Sequence, residues 1–307
     1  DVLVPAITRH LGLEETSDRA IKALTTLLTL ANVVGDNSFA ATVYFQKEAN
    51  IVFEQICKLL EWSGTHMKTL AVQEQAVKAM FYLTDGRVIA DILAMEEADG
   101  SLLNEGWINS AVMICDMPRV LRIMLDHATC TSSTTLQRWS AACLRSLIIE
   151  DERRGCESIS EAMSMGYSEL RYEPFVTELV SSGGAMILSS LIASDDADTR
   201  AHAMSALSQI IDSAREINIR IGVYIEAYQV HNVQTCSETA IIDAIVSSGA
   251  CGPSLAQLLL SADNSSAAMA CDFAKSLVYP IISNPKGSGI HRYHRNLPSD
   301  INLSIDE

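Results

Sequence analysis

The chain has 307 residues, with 38 acidic against 22 basic side chains for a formal charge of −16, and it is 48% hydrophobic but only 6% aromatic. Such a field repels nucleic-acid phosphates and anionic membranes and favours basic partners, with plain solubility as the alternative role. Seven prolines and fifteen glycines, with no long alternating stretch, exclude a loop-rich β fold and suit Leu/Ala-rich helix packing; length alone would allow about two domains. The chain begins at Asp1 rather than Met, as expected of a processed chain or part of a longer protein, so the lack of a leader in view carries no weight.

In chain order, residues 4–11 read as a short apolar helix with Pro5 near its start, and 14–18 supply an acidic and hydroxyl cap. A long helix over 19–31 follows, with Ala20, Ala23, Leu24, Leu27 and Leu28 as its core. Residues 50–60 and 69–84 form the next pair, around Ile56, Leu59 and Leu60, then Ala76, Ala79, Met80 and Leu83. The turn between them is Trp62 to His66, and Asp85-Gly86 ends the second helix. Residues 87–117 carry an extra helix at 88–97 and a loop around Asp99-Gly100 and Glu105-Gly106-Trp107. Pro118 opens a helix over 119–127, a Thr/Ser-rich turn follows at 129–135, and 136–149 form a helix with Leu136, Cys143, Leu144 and Leu147 inward. The charge run 150–154 reads as a solvated loop or helix end, and 156–172 as a mixed segment.

The most informative stretch is 179–210, which recurs at 245–277. Leu-Val-Ser-Ser-Gly becomes Ile-Val-Ser-Ser-Gly at an offset of 66, and after a one-residue slip Leu188, Leu191 and Ile192 fall on Leu255, Leu258 and Leu259 at an offset of 67. Each copy reads as a short helix, a Gly break, an apolar helix, an acidic or Ser-rich turn and a longer Ala-rich helix. Gly183 and Gly249 can take the left-handed backbone just past a helix end. Pro253 suits a first helical turn. Asp195, Asp196 and Asp198, and Asp263 with Asn264, can cap the last helix of each copy. That helix sets Ala203, Leu207, Ile210 and Ile211 on one face. Between the copies, 213–237 alternates Ile217, Ile219, Ile221, Val223 and Ile225. A strand there would have no partner, so a continued helix is the preferred reading. Residues 244–262 carry no charge and have the length of a membrane span, but Ser247-Ser248-Gly249 and Gly252-Pro253-Ser254 cut the run.

This order of short helix, Gly-Gly, apolar helix, Ser-Asp-Asp and Ala-rich helix with Ala-Leu-x-x-Ile resembles the armadillo repeat, with HEAT repeats as the neighbouring pattern. Aligning the long helices on their core gives Ala23, Ala79, Cys143, Ala206 and Phe273, spaced by 56, 64, 63 and 67. Armadillo and HEAT units run roughly 40–47 residues, so the surplus implies long inserts between units. The resemblance implies an all-α, right-handed α-solenoid of about five such units over 1–283, the first incomplete. Residues 284–307, where Asn284-Pro285-Lys286-Gly287-Ser288-Gly289 breaks the last helix, form an irregular tail. Its His291-Arg292-Tyr293-His294-Arg295 is expected to lie on an acidic surface of this chain or of a partner.

Catalytic and metal chemistry finds little footing. The eight cysteines (57, 115, 130, 143, 156, 236, 251 and 271) include no Cys-x-x-Cys pair. Cys57, Cys143 and Cys271 fall within helical core patterns, which points to an intracellular reducing compartment, the cytoplasm first, with organelle and nucleus both open. His291-x-x-His294 lacks a third ligand. Asp195-Asp196-Ala197-Asp198 lacks the Gly and closing Glu of a calcium loop. No Gly-rich phosphate loop or Gly-x-Ser-x-Gly elbow is present. No cofactor and no enzymatic activity are expected.

What the resemblance implies instead is a protein-interaction scaffold or adaptor, or a subunit of a larger assembly, that binds a basic or extended protein segment on its concave face. The row expected to line that face is Gln75, Lys78 and Tyr82; Trp139, Ala142 and Ser146; His202, Ser205 and Gln209; Met269, Asp272 and Ser276. Tyr82 and Trp139 would be its exposed aromatic anchors, the alternative being that Trp139 packs against the preceding insert. A nuclear-import-type adaptor that reads basic peptides is the second reading. That family sets a Trp before the core Ala and an Asn three residues after it. Here Lys22, Lys78, Ala142, Ser205 and Asp272 stand at the first position, and Thr26, Tyr82, Ser146, Gln209 and Ser276 at the second.

Overall fold

The computed structural model describes residues 3–13, 15–34, 49–61, 67–85, 117–165, 175–228 and 238–278. Among them every regular element is a helix. In chain order these are α1 (Leu3–Leu11), α2 (Ser17–Val34), α3 (Ala49–Glu61), α4 (Met67–Thr84), α5 (Met117–Ala128), α6 (Thr134–Met165), α7 (Phe175–Ser181), α8 (Gly184–Leu191), α9 (Ala197–Tyr228), α10 (Glu238–Ser247), α11 (Pro253–Leu259) and α12 (Asn264–Val278). The expected helix at 88–97, the turn after Trp62, Cys115, Cys236 and the tail 284–307 lie outside the described residues.

The described helices group into five units: α1–α2, α3–α4, α5–α6, α7–α9 and α10–α12. The last helix of each unit packs on its counterpart in the next, so that α2, α4, α6, α9 and α12 form one continuous row. Behind it α1, α3, α5 and α8 form a second row. Where a short first helix is described, α7 also meets α10. Stacking of this kind along one axis is an α-solenoid of armadillo-like units.

The break between the first two helices of a unit is built as its sequence dictates. Gly183 and Gly249 sit at φ 82° and 91°, the left-handed region that a Cβ disfavours. Gly183 donates its N–H to the Val180 carbonyl at 3.1 Å and Gly249 to that of Val246 at 3.2 Å, closing α7 and α10. Pro253 opens α11. The third helices α9 and α12 are capped by aspartates, and α6 by the Ser133 hydroxyl, which accepts the Leu136 N–H at 3.0 Å. Asp196 Oδ2 accepts the Thr199 N–H at 2.8 Å, and Asp263 Oδ2 accepts that of Ser266 at 3.1 Å.

Four expectations change. The core position of α2 is Leu24, which is fully buried, whereas Ala23 is exposed; Ile21, Leu24 and Leu28 form its buried stripe. The charge run 150–154 is neither loop nor helix end, because α6 continues through it to Met165. Asp151 and Glu152 are buried there. Asp151 Oδ2 accepts the Phe175 N–H at 2.9 Å, capping α7 from another helix and satisfying a donor that a helix start leaves open. Much of the mixed segment after 156 is likewise the end of α6. Cys271 is exposed, unlike Cys57 and Cys143, because no described helix packs on the outer side of α12.

The alternation after Ser213 resolves as helix. In α9, Ile217 and Ile221 are buried while Ile219 and Val223 are exposed, which is a helical and not a strand division. Both α6 and α9 have 32 residues, about 48 Å at 1.5 Å per residue, and they pack together.

Three glycines give opposite expectations in chemical denaturation. A Cβ on Gly184 would clash with Leu179 Cδ1 and stand 2.7 Å from the Leu179 carbonyl oxygen, so Gly184→Ala should cost about 1–3 kcal/mol by overpacking. Gly183→Ala has open space but the left-handed φ and should cost about 1–2 kcal/mol. Gly222→Ala lies inside α9 with nothing within 4 Å and should stabilise by about 0.5–1 kcal/mol.

Candidate functional site

Helical spacing on α4, α6 and α9 places one side chain per turn along the row of third helices. At its centre the structure brings four of the expected residues together: Lys78 and Tyr82 from α4, Trp139 from α6 and His202 from α9. The Trp139 ring centroid lies 5.8 Å from that of Tyr82 and 6.5 Å from that of His202. Phe81, which the sequence reading missed, joins them at 5.0 Å from Trp139, 5.4 Å from Tyr82 and 6.4 Å from His202. All these ring pairs are tilted, the geometry that aromatic quadrupoles prefer. Lys78 Nζ stands 5.4 Å from the Trp139 centroid and 6.0 Å from that of Tyr82, within cation–π range.

The anchors are not exposed as expected. Tyr82 is 3% and Trp139 7% accessible, because each ring is covered by the rings of adjacent units. They form the floor of the site, and the half-buried Lys78, Phe81, His202 and Ser205 form its surface. Phe81 was legible in principle, three residues after Lys78 on the same helical face.

Polar neighbours fix this floor. Arg138, one residue before Trp139, donates from Nη2 to Asp196 Oδ1 at 2.6 Å and pairs with Asp198 at 3.2 Å. Asp196 also accepts the Thr199 hydroxyl at 2.5 Å. Burial pushes the Asp196 carboxyl up, but Arg138 and the two Thr199 donors outweigh it and hold the group at about 2. It is therefore ionised throughout the neutral range. Burial pushes His202 down to about 4, helped by the charges of Arg145 and Arg138 and opposed by those of Asp196 and Asp85. Burial, then the Arg138 charge, also lower Lys78.

The remaining row residues divide. Gln75 is half-buried, and its carbonyl accepts the Thr25 hydroxyl of the first unit at 2.9 Å. Gln209 Nε2 donates to Glu152 Oε2 at 2.8 Å. Ala142 and Ser146 are buried. Ser276 is turned inward, its hydroxyl donating to the Phe273 carbonyl at 2.7 Å and to the Ser208 hydroxyl at 3.4 Å. Met269 is half-buried. Asp272 is exposed and paired with Lys275 at 2.8 Å. Among the described residues no group of three His, Cys, Asp or Glu is placed to hold a metal ion, and no helix is long and apolar enough to cross a membrane.

Several solved structures are similar to this chain at low identity. A designed armadillo repeat protein in complex with the peptide (KR)4 is 11% identical, with 89% of this chain and 99% of that chain covered and a TM-score of 0.44. A computationally designed armadillo repeat protein for modular peptide recognition is 13% identical over 89% and 99%, with a TM-score of 0.43. An engineered protein is 18% identical over 89% and 96%, with a TM-score of 0.45. No family model and no curated protein matches the chain.

The site sets a pH signature. Unfolded, His202 protonates near 6.5; folded, only near 4. The stability it contributes is fully present above pH 6.5 and lost as pH falls toward 4. On the same helix, burial and then Glu238 push Asp212 up from 3.8 to about 6 against the pull of Arg215. Its contribution has the opposite sign, present below pH 3.8 and lost as pH rises through 6. The two effects oppose one another between pH 6 and 4. His202→Phe should therefore remove a loss of up to about 1.4 kcal/mol per pH unit on acidification, and Asp212→Asn should steepen the loss. Urea unfolding midpoints at pH 4.5, 5.5 and 7 check both signs.

Proposed function

We propose that this chain is a non-enzymatic protein-interaction scaffold whose row of third helices binds an extended segment of a protein partner. The observation that carries the reading is the central cluster, drawn from three successive units, where Lys78, Phe81 and His202 overlie a floor of Tyr82 and Trp139. A surface of rigid rings with adaptable polar groups beside it has the make-up of an interaction hot spot. Ser205 and Asp272 extend the face along α9 and α12. The net charge of −16 favours a partner that is basic outside this centre. The nuclear-import reading draws on the same acidity but lacks its Trp and Asn ladder, since the positions carry Lys78, Ala142 and Ser205, and Tyr82, Ser146 and Gln209.

Substituting Tyr82 or Trp139 would open cavities in the packed row, so the test leaves the floor intact. Ser205→Arg puts a long side chain onto the proposed face. Met186→Arg, on the 62% exposed Met186 of α8, is the control on the second row. In affinity capture from the native source, Ser205→Arg should weaken specific partners at least about tenfold, or 1.4 kcal/mol, with the melting temperature unchanged. Met186→Arg should retain them. Equal retention by both variants would remove the third-helix face as the binding surface.

A further inference from the structure

The Lys78 ammonium differs from the enclosed bases that pair with carboxylates, and from Arg200, which donates to the Ser194 and Asp195 carbonyls at 2.8 and 2.9 Å. Arg138 is paired with Asp196 and Asp198, and Arg119 with Glu54 and Glu61. Arg215 has Glu238, and Arg220 has Glu216 at 2.8 Å. Lys78 rests instead on the faces of Trp139 and Tyr82, and among the described residues no carboxylate lies within 4.0 Å of its nitrogen. Burial and the nearby Arg138 charge both disfavour its cation. Arg145 adds a further positive charge beside His202. A chain with sixteen more acidic than basic side chains thus presents, at the centre of the candidate face, a cation with no acid beside it among the described residues.

We infer that the segment bound by this face carries a carboxylate side chain, Asp or Glu, that pairs with Lys78 above the Trp139 and Tyr82 rings. The inference rests on the scaffold reading above and adds the chemistry of the central contact. The rings fix the ammonium in place before binding, so little side-chain freedom remains to be lost. A charge-assisted hydrogen bond in a partly desolvated site is of the strong kind. The carboxylate also neutralises a charge that burial already disfavours. An acidic residue within an otherwise basic or neutral segment satisfies both the local cation and the global field.

The probe is a random dodecapeptide display library selected on the full chain, followed by synthetic copies of the recovered peptides. Wild type should enrich Asp or Glu at one position. Replacing that residue by the corresponding amide should weaken binding to wild type at least about tenfold and to Lys78→Gln less than about twofold. Lys78→Arg should keep the acidic preference, and Lys78→Glu should shift it to Lys or Arg, with unchanged melting temperatures showing that the variants fold. Peptides that Ser205→Arg weakens but that bind Lys78→Gln as tightly as wild type would overturn the inference and leave the scaffold reading intact. So would peptides that bind only when the acidic residue is replaced by phosphoserine. Failure to recover any peptide weakened by Ser205→Arg would overturn both.

Discussion

The structure depends on the burial of the inner last helices, α4, α6 and α9, each between two others. α9 shows this most fully. Ala203, Met204, Ala206, Leu207, Ile210, Ile211 and Ala214 are all buried, more of the helix surface than any single neighbour could cover. α6 lies on one side, α12 on the other, and α8 and α10 lie behind. No unit could bury such a helix alone, so the array is stable only as a stack, and nearest-neighbour interfaces carry most of its stability. Small residues at the contacts allow this closeness. Where Ala203 and Ala206 stand in α9, α12 carries Ala270 and Phe273, fully buried as well.

Apolar stacking alone would leave the units free to slide, and polar ties at each joint oppose that. Thr25 reaches the Gln75 carbonyl at the first joint. At the second, Arg119 grips Glu61 with two parallel hydrogen bonds of 2.8 and 2.6 Å and Glu54 with a third, while Ser133 donates to Glu74 at 2.6 Å. Arg138 with Asp196, and Gln209 with Glu152, mark the third. The hydroxyls of Ser189 and Ser248, 2.5 Å apart, mark the fourth. Half-exposed ion pairs add little stability, but their geometry admits one register. Asp196 serves twice, capping α9 and holding Arg138, so the start of one third helix is tied to the first turns of the previous one.

The parts of this fold legible in the sequence are those where one residue type answers one local demand. Gly183 and Gly249 announce left-handed helix ends, Pro253 a first turn, and Asp196 and Asp263 caps; each of these depends on its own few neighbours. The parts that were not legible depend on a distant helix. Asp151 looked like a member of a solvated run because its partner, the Phe175 N–H, lies 24 residues away. Ala23 and Leu24 differ by one step of the helix, and only the position of α4 decides which faces inward. Cys271 fits a core pattern, but no described helix covers it. The row through Lys78, Tyr82, Trp139 and His202 was legible as a spacing. That its rings would touch across units and bury one another was not, because the spacing fixes direction along each helix but not the distance between helices.

That mutual burial changes how the central cluster can work. An exposed Trp139 would contribute contact area directly. At 7% accessibility it contributes instead through what it supports. A lysine on a free helix surface samples many rotamers, whereas one lying on two fixed rings is confined by them, and the rings are fixed because Arg138 is locked to Asp196 and His202 closes the far side. Rigidity therefore passes from the capped start of α9, through Arg138 and Trp139 on α6, to Lys78 on α4. A change at the cap would be felt at the ammonium two units away without touching it. The same interactions that hold the stack in register thus set the position of the chemical groups its face can offer.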